Sequence, residues 1–481
     1  MGIRKQRETD DVAEREESKL ENVITKVRMP HVYVILMSLL ILSYIATLLI
    51  PSGSFEREER PGGMLVVPES FQFIDAEMLT PFDLLFAIPT GMVQAGELIF
   101  GGIMIGGLFA VVEKTGLLNI VIHYVFKIFQ AKKILVIPAL MIPMGIFTTI
   151  TGAFEMALIY IPALIPVILR LGYDRFTAFA IVIVSCSAGL SVALTAPATV
   201  GLAQTISELP LYSGIGLRVI VMSLVLLVGI WYVWRYARKI ERDPSKGYLY
   251  GDGLDGEYLD DNEPDLEKIS TRQLAGLIFL FAGLGVMVYG LLVWGWYFIE
   301  IGGWYAFMGI VLGLICKMTP SGIAETFNEG FKKFIVAGIV IGLARSISVI
   351  LENGQILDTI IYGISEIVSS MPAEISAVMM MIAQASFNFV VGSGSGQALI
   401  TMPIMVGLSD LLDVTRQTSV LAFQFGDGFS NIIYPTGLIM AFLAFARISY
   451  VKWLRFIIPL VLIWYGISTV TLIIAQSIGW G

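Results

Sequence analysis

Apolar residues along this chain come in long, nearly unbroken blocks separated by short polar stretches. The first block runs from Val32 to Ile50 and is closed by Pro51. Its length approaches the roughly 20 residues a helix needs to cross a bilayer core. A Gly-, Pro- and Glu-bearing loop follows to about Thr80. A second polar stretch runs from Trp234 to about Arg272 and opens with Arg235, Arg238, Lys239 and Arg242; the last block, about Phe456 to Ala475, follows Arg447, Lys452 and Arg455. Lys and Arg flanking spans mark the cytoplasmic side. The N-terminal segment and the central stretch are therefore placed inside and the tail Ser477–Gly481 outside, which requires an odd number of crossings. The pattern predicts an all-α polytopic protein of the cytoplasmic (inner) membrane.

Five regions follow. Residues 1–30 are a charged cytoplasmic segment, 31–80 the first transmembrane helix with its external loop, and 81–237 a first transport repeat. Residues 238–272 form an acidic cytoplasmic linker, and 273–481 hold scaffold helices and a second repeat. The duplication is read from paired motifs. GELIFGGIMIGGLFAVVEKTG (96–116) echoes KKFIVAGIVIGLARSISVILENG (332–354), with Glu113 and Glu352 standing 239 positions apart. Pro162 and Pro403 stand 241 apart, as do Arg175 and Arg416, while Pro197 and Pro435 stand 238 apart. Offsets this constant over about 110 positions mark a duplicated carrier. Such duplications build inverted repeats with re-entrant hairpins and broken helices.

Composition narrows the function. Of 481 residues 56% are hydrophobic and 15% charged, against about 25% charged in a soluble domain. A net charge of -8 argues against nucleic-acid binding, which needs a basic face. Two histidines and two cysteines leave no metal cluster, and no phosphate loop occurs. The acidic stretch from Asp252 to Glu267 fails the calcium-loop spacing. An intramembrane enzyme would need a nucleophile and base, and His31 and His123 stand isolated. No cofactor is expected beyond a Na⁺ or a proton as coupling ion. The expected partners are a small carboxylate or amino-acid substrate and the lipid bilayer.

Two kinds of broken segment carry polar residues. One is an apolar–polar–apolar hairpin: Asn388 to Ala398 in the second half, with Ser393, Gly394, Ser395 and Gln397 at its tip, and Thr148 to Glu155 in the first, with Thr151 and Gly152. Three alternating glycines sit poorly inside one helix, and irregular backbone at membrane depth survives only where it is buried or lines a cavity. Free N–H groups at a half-helix start, with Ser hydroxyls beside them, make a carboxylate seat. Glycines alone could equally form a helix-packing face; the clustered Asn, Ser and Gln favour a site. Glu155 is an intramembrane carboxylate that could meet a cation or proton, or cap a helix at the water boundary.

The other break is polar–Pro: Thr195, Pro197 and Thr199 in the first half, and Asp427, Asn431, Pro435 and Thr436 in the second. Proline frees a carbonyl one turn earlier, and carbonyls with hydroxyls suit a hard cation. Asp427, between two glycines, is the leading ion or proton group unless Arg345 or Arg416 pairs with it. Arg345, inside an apolar run, would bind a substrate carboxylate or neutralise Asp427.

VGSGSGQALITMP (391–403), RQTSVLAFQFGDGFSNIIYPT (416–436), LGYDRFTA (171–178) and TVGLAQTISELPLYSGIGLR (199–218) resemble the YfcC-like branch of the anaerobic dicarboxylate carrier (DcuC-type) family. The resemblance covers the chain from about residue 30 onward. It implies membership of the ion-transporter superfamily, a homodimer, and elevator-like alternating access. The family pattern has an Asn-Pro pair and a double Glu in the first half, where this chain reads Ala196-Pro197 and Phe154-Glu155-Met156. The expected function is secondary transport of a small carboxylate-bearing metabolite, a dicarboxylate or an amino acid, by cation coupling or exchange. Arginine/ornithine antiport is the alternative within that class. A channel is the alternative outside it, and would need a continuous polar stripe rather than two symmetric clusters.

Overall fold

The first apolar block forms helix α1 (Val32–Leu49) in a computed structural model that describes residues 32–60, 63–129, 132–258, 269–296, 298–369, 373–435 and 438–481. The charged segment 1–30 and Thr436 lie outside the described residues. Next come α2 (Pro81–Gln94), α3 (Gly96–Lys114), α4 (Leu117–Phe129), α5 (Val136–Thr151), α6 (Ala157–Arg170), α7 (Arg175–Ser191), the short α8 (Leu202–Ile206) and α9 (Ile215–Arg242). After the linker follow α10 (Thr271–Tyr289), α11 (Phe298–Ile315), α12 (Pro320–Asn353), α13 (Leu357–Ser369), α14 (Ala373–Val390), α15 (Gly394–Leu411), α16 (Arg416–Ser430), α17 (Leu438–Phe445) and α18 (Tyr450–Ser477). Among the described residues six helices are long and apolar enough to cross a membrane.

The loop after α1, expected only as a loop, holds two antiparallel two-stranded sheets. They are β1 (Gly53–Ser54) with β4 (Gln72–Phe73), and β2 (Arg57–Arg60) with β3 (Gly63–Val66). They seat on the start of α13. The Arg57 guanidinium pairs with Asp358 at 3.0 Å, Phe55 N donates to the same carboxylate at 3.0 Å, and Phe71 stacks on Tyr362.

The two segments that echo each other in sequence pack together: α3 lies along α12, and α11 along α3. Glycines permit that approach. A Cβ on Gly330 would stand 2.3 Å from the Gly106 carbonyl oxygen, so the backbones touch where any side chain would hold them apart. The predicted halves then repeat element by element: hairpin α5–α6 matches α14–α15, α7 matches α16, and α9 matches α18, each of these last two being 28 residues long. In both halves the first hairpin arm packs on the broken helix.

Equivalent helices run in opposite senses. On one face Arg175 at the start of α7 pairs with Asp252 at 2.8 Å, Tyr236 near the end of α9 donates to Asp174, and Arg447 before α18 pairs with Glu257. On the other face Arg416 at the start of α16 pairs with Glu208 at 2.9 Å, and Thr415 donates to the Trp480 carbonyl beyond α18. So α7 and α16 start on opposite faces, and α9 and α18 end on opposite faces. α9 also continues through Arg235, Arg238 and Lys239 to Arg242, past the boundary expected at residue 238.

Candidate functional site

The second hairpin closes over the end of α16. Its arms α14 and α15 are joined at Val391–Ser393, and Ser393 caps α15, its Oγ accepting from Gly396 N at 3.3 Å. Behind the tip a buried amide pair braces the arms: Gln397 Nε2 donates to Gln384 Oε1 at 2.7 Å, and Thr401 donates to the same oxygen. Asn388, in the last turn of α14, donates to the Asp427 carbonyl at 3.0 Å and to Ser430 Oγ at 2.6 Å. Ser430 Oγ and Asn431 Nδ2 also donate to that carbonyl, at 3.0 and 2.8 Å.

The glycines around Asp427 explain its placement. A Cβ on Gly426 would meet the Met381 carbonyl at 2.5 Å, and one on Gly428 would meet Ser191 at 2.4 Å. With neither present, α16 is pressed between α14 and α7, and the Asp427 side chain projects toward the hairpin tip. One carboxylate oxygen lies 3.0 Å from where a Cβ on Gly394 would stand, and Thr199 Cγ2 lies 3.1 Å from the same point. The other oxygen, Oδ1, is buried with no hydrogen-bond partner among the described residues, and so is Asn388 Oδ1. Unmade buried acceptors are costly, and two of them stand on neighbouring segments here. Among the described residues no trio of His, Cys, Asp or Glu suits a transition metal.

The first-half tip closes on its own break. Gly152 turns the chain with φ +74°, a conformation glycine adopts freely. The Thr149 carbonyl accepts from Leu194 N at 2.8 Å, and Thr195 Oγ1 donates to the Ile150 carbonyl at 3.0 Å. The Thr151 hydroxyl is used locally, donating to the Phe147 carbonyl and accepting from Ala153 N.

The expected residues thus separate into groups. Asn388, Gly394, Asp427, Asn431 and Thr199 converge; Ser393 and Ser395 stand at the tip and Gln397 one layer behind. Thr151, Gly152 and Thr195 hold the first tip together. Glu155 does not join Asp427: it lies in a small apolar pocket with Ile105, Met156, Ile159, Leu291 and Ile301, against α3 and α11. Neither arginine reaches Asp427. Arg345 binds Gln94 at 2.9 Å and Glu352 at 3.2 Å, and Arg416 is held by Glu208 and Asp410. Both readings of Arg345, as substrate ligand and as neutraliser of Asp427, therefore give way to a pairing between α2 and α12.

Arg218 is the residue sequence reasoning passed over. Fully buried in α9, its Nη1 donates to the Ala193 carbonyl at 3.2 Å and to Gln424 Oε1 at 3.1 Å. Gln424 in turn donates to the Leu190 carbonyl and toward Thr199 Oγ1 at 3.4 Å. The signal was present: Arg218 is the lone charge between Glu208 and Arg235, the anomaly that singled out Arg345.

Paired hairpins and paired broken helices around a buried carboxylate define a polytopic α-helical transporter rather than an enzyme. The chain belongs to the C4-dicarboxylate anaerobic carrier (DcuC) family, whose profile matches residues 29–477. It is 31% identical over 494 residues to the Escherichia coli (strain K12) protein named "Putative basic amino acid antiporter YfcC", covering 94% of this chain and 97% of that one. It is also 26% identical to an uncharacterized protein of Haemophilus influenzae, covering 86% of this chain and 82% of that one. Two solved structures align at low similarity. Neisseria gonorrhoeae MtrF, described among antimetabolite efflux pumps, gives 18% identity and a TM-score of 0.42 over 94% of this chain and 96% of its own. The Alcanivorax borkumensis YdaH transporter gives 16% and 0.43 over 94% and 99%.

Proposed function

We propose that the protein is a secondary carrier for a small metabolite bearing both a carboxylate and an amino group, working by alternating access between inverted halves. The observation that carries this reading is Asp427, whose buried Oδ1 has no partner among the described residues. A cationic group on the substrate, or a Na⁺ or proton exchanged against it, would complete that oxygen together with Asn388 Oδ1. The open N-terminus of α15, with Ser393 and Ser395, offers donors to a carboxylate. Diversion of Arg345 into its pair with Glu352 removes the feature that favoured a dicarboxylate. The relative named as a basic amino acid antiporter agrees with this charge balance. Opposite helix senses in the two halves support the inverted repeat, and the basic residues Arg235, Arg238, Lys239 and Arg242 support a cytoplasmic face at the linker. A homodimer in the cytoplasmic membrane belongs to the same proposal.

A melting series on the purified protein tests it, since a ligand that binds the folded state raises the midpoint. Arginine, ornithine, neutral amino acids, succinate, fumarate and citrate are each added with Na⁺ and with K⁺. A shift with arginine or ornithine that is lost in Asp427→Asn is the expected result. A shift with succinate or citrate alone would replace it with a dicarboxylate carrier.

A further inference from the structure

Helix α7 ends at Ser191, and Ala193 lies in the irregular stretch before Pro197, so its carbonyl has no helical donor. Arg218 supplies the missing hydrogen bond. In the second half the matching carbonyl, Ile432, also lies past the end of its helix and is held without charge. Trp453, the fourth residue of α18 as Arg218 is the fourth of α9, donates its indole N–H to the Ile432 carbonyl at 2.8 Å. Capping a broken helix therefore needs only a neutral donor at this position. A guanidinium here exceeds the structural requirement, and burying it is expensive unless its donors are used.

Its bonding shows which donors are left. Nη1 is anchored by Ala193 and Gln424, whereas Nε and Nη2 are buried with no hydrogen-bond partner among the described residues. Those two nitrogens form one side of the planar fork, the side that meets a carboxylate with two parallel N–H groups. Through Gln424 the same guanidinium is tied to Thr199, which stands beside Gly394 and Asp427.

We propose that Arg218 is the residue that selects for a carboxylate on the transported molecule, its Nε–Nη2 edge receiving that group when the two helix breaks part. The inference rests on the carrier reading and changes one part of it: the carboxylate lies toward Arg218 in place of the α15 N-terminus, with the amino group still toward Asp427. Anchoring through Nη1 fixes the fork before substrate arrives, which lowers the ordering cost of binding.

Counterflow in proteoliposomes reads the assignment. Labelled arginine is competed by arginine and by agmatine, the same molecule without its carboxylate, and labelled succinate by succinate and by its diamide, which has no carboxylate. The variants are Arg218→Lys, which keeps the charge but has no fork, and Arg218→Met; where the second fails to fold, the first carries the test. The wild type is expected to prefer the carboxylate-bearing member of the pair it transports. Both variants are expected to raise KM for that member about 10- to 100-fold, with kcat nearly unchanged and competition by the partner lacking the carboxylate retained. Equal weakening of both members, or a lowered melting point with the preference intact, would make Arg218 a structural cap and overturn the assignment. A wild type that transports but shows no such preference overturns it too. Absence of counterflow for every compound would sink the carrier reading itself, an outcome distinct from the others.

Discussion

The two halves share one plan and differ in where their acid points. In the second half the hairpin tip and the broken helix leave Asp427 between them, facing Gly394 and Thr199. In the first half the tip is sewn to its own break through Thr149, Ile150 and Thr195, and Glu155 turns away into an apolar pocket against α3 and α11. The cation near the center reverses the bias: it is contributed by the first half, as Arg218, opposite the neutral Trp453. Duplication supplied a symmetric frame, and substitution at equivalent positions placed a negative group on one side and a positive group on the other. On the proposed function, that asymmetry matches a substrate with two different ends.

Exchanging the acids tests the comparison most severely. Asp427→Asn is expected to lower the initial counterflow rate at least about 100-fold, whereas Glu155→Gln stays within about threefold, differences of more than 2 and under 1 kcal/mol. Equal losses would mean that both carboxylates serve one site. The tip glycines come next. Gly394→Ala places a methyl 3.0 Å from the Asp427 carboxylate and is expected to raise KM about tenfold, a cost of about 1.4 kcal/mol, with the melting point nearly unchanged. Gly152→Ala instead forces φ +74° on a residue with a Cβ and costs about 1–2 kcal/mol of stability, read as a lower melting midpoint with KM retained.

Smaller still is Trp453→Phe, which leaves the Ile432 carbonyl without its indole donor; about 1 kcal/mol of stability is lost, with carboxylate preference intact. The smallest effect is local to the exposed turn that follows α9. Hydrogen bonds from Ser245 and Lys246 hold the Asp243 carboxyl below its ordinary value of 3.8. Stability from that group is present above its unfolded value and fades as pH falls through the lowered folded one. Asp243→Asn should flatten that acid limb of a pH–melting curve and leave transport untouched.

Much of this was legible beforehand because bilayers impose coarse rules. Block length marks the spans, Lys and Arg mark a face, and constant offsets between Pro197 and Pro435 or Arg175 and Arg416 mark the duplication. Gly-Asp-Gly and Gly-Ser-Gly-Ser-Gly announce irregular packing on their own. The loop after α1 was harder, since two- to four-residue strands are held by Asp358 and Tyr362, some 300 positions away. Arg345 and Arg218 are the instructive pair. Each is a lone charge in an apolar run, yet one meets a Glu seven residues along its own helix and the other spans both halves.

A duplicated, helical membrane protein with broken segments and few intramembrane charges is readable from the chain alone, because hydrophobic block length, proline and glycine act locally. Which charges come together is set by packing between distant helices. Whether Asp427 faces Thr199, Glu155 faces Ile301, or Arg218 reaches Gln424 depends on how helices from separate halves stack. A buried polar atom is satisfied or left open by neighbours that lie hundreds of residues away.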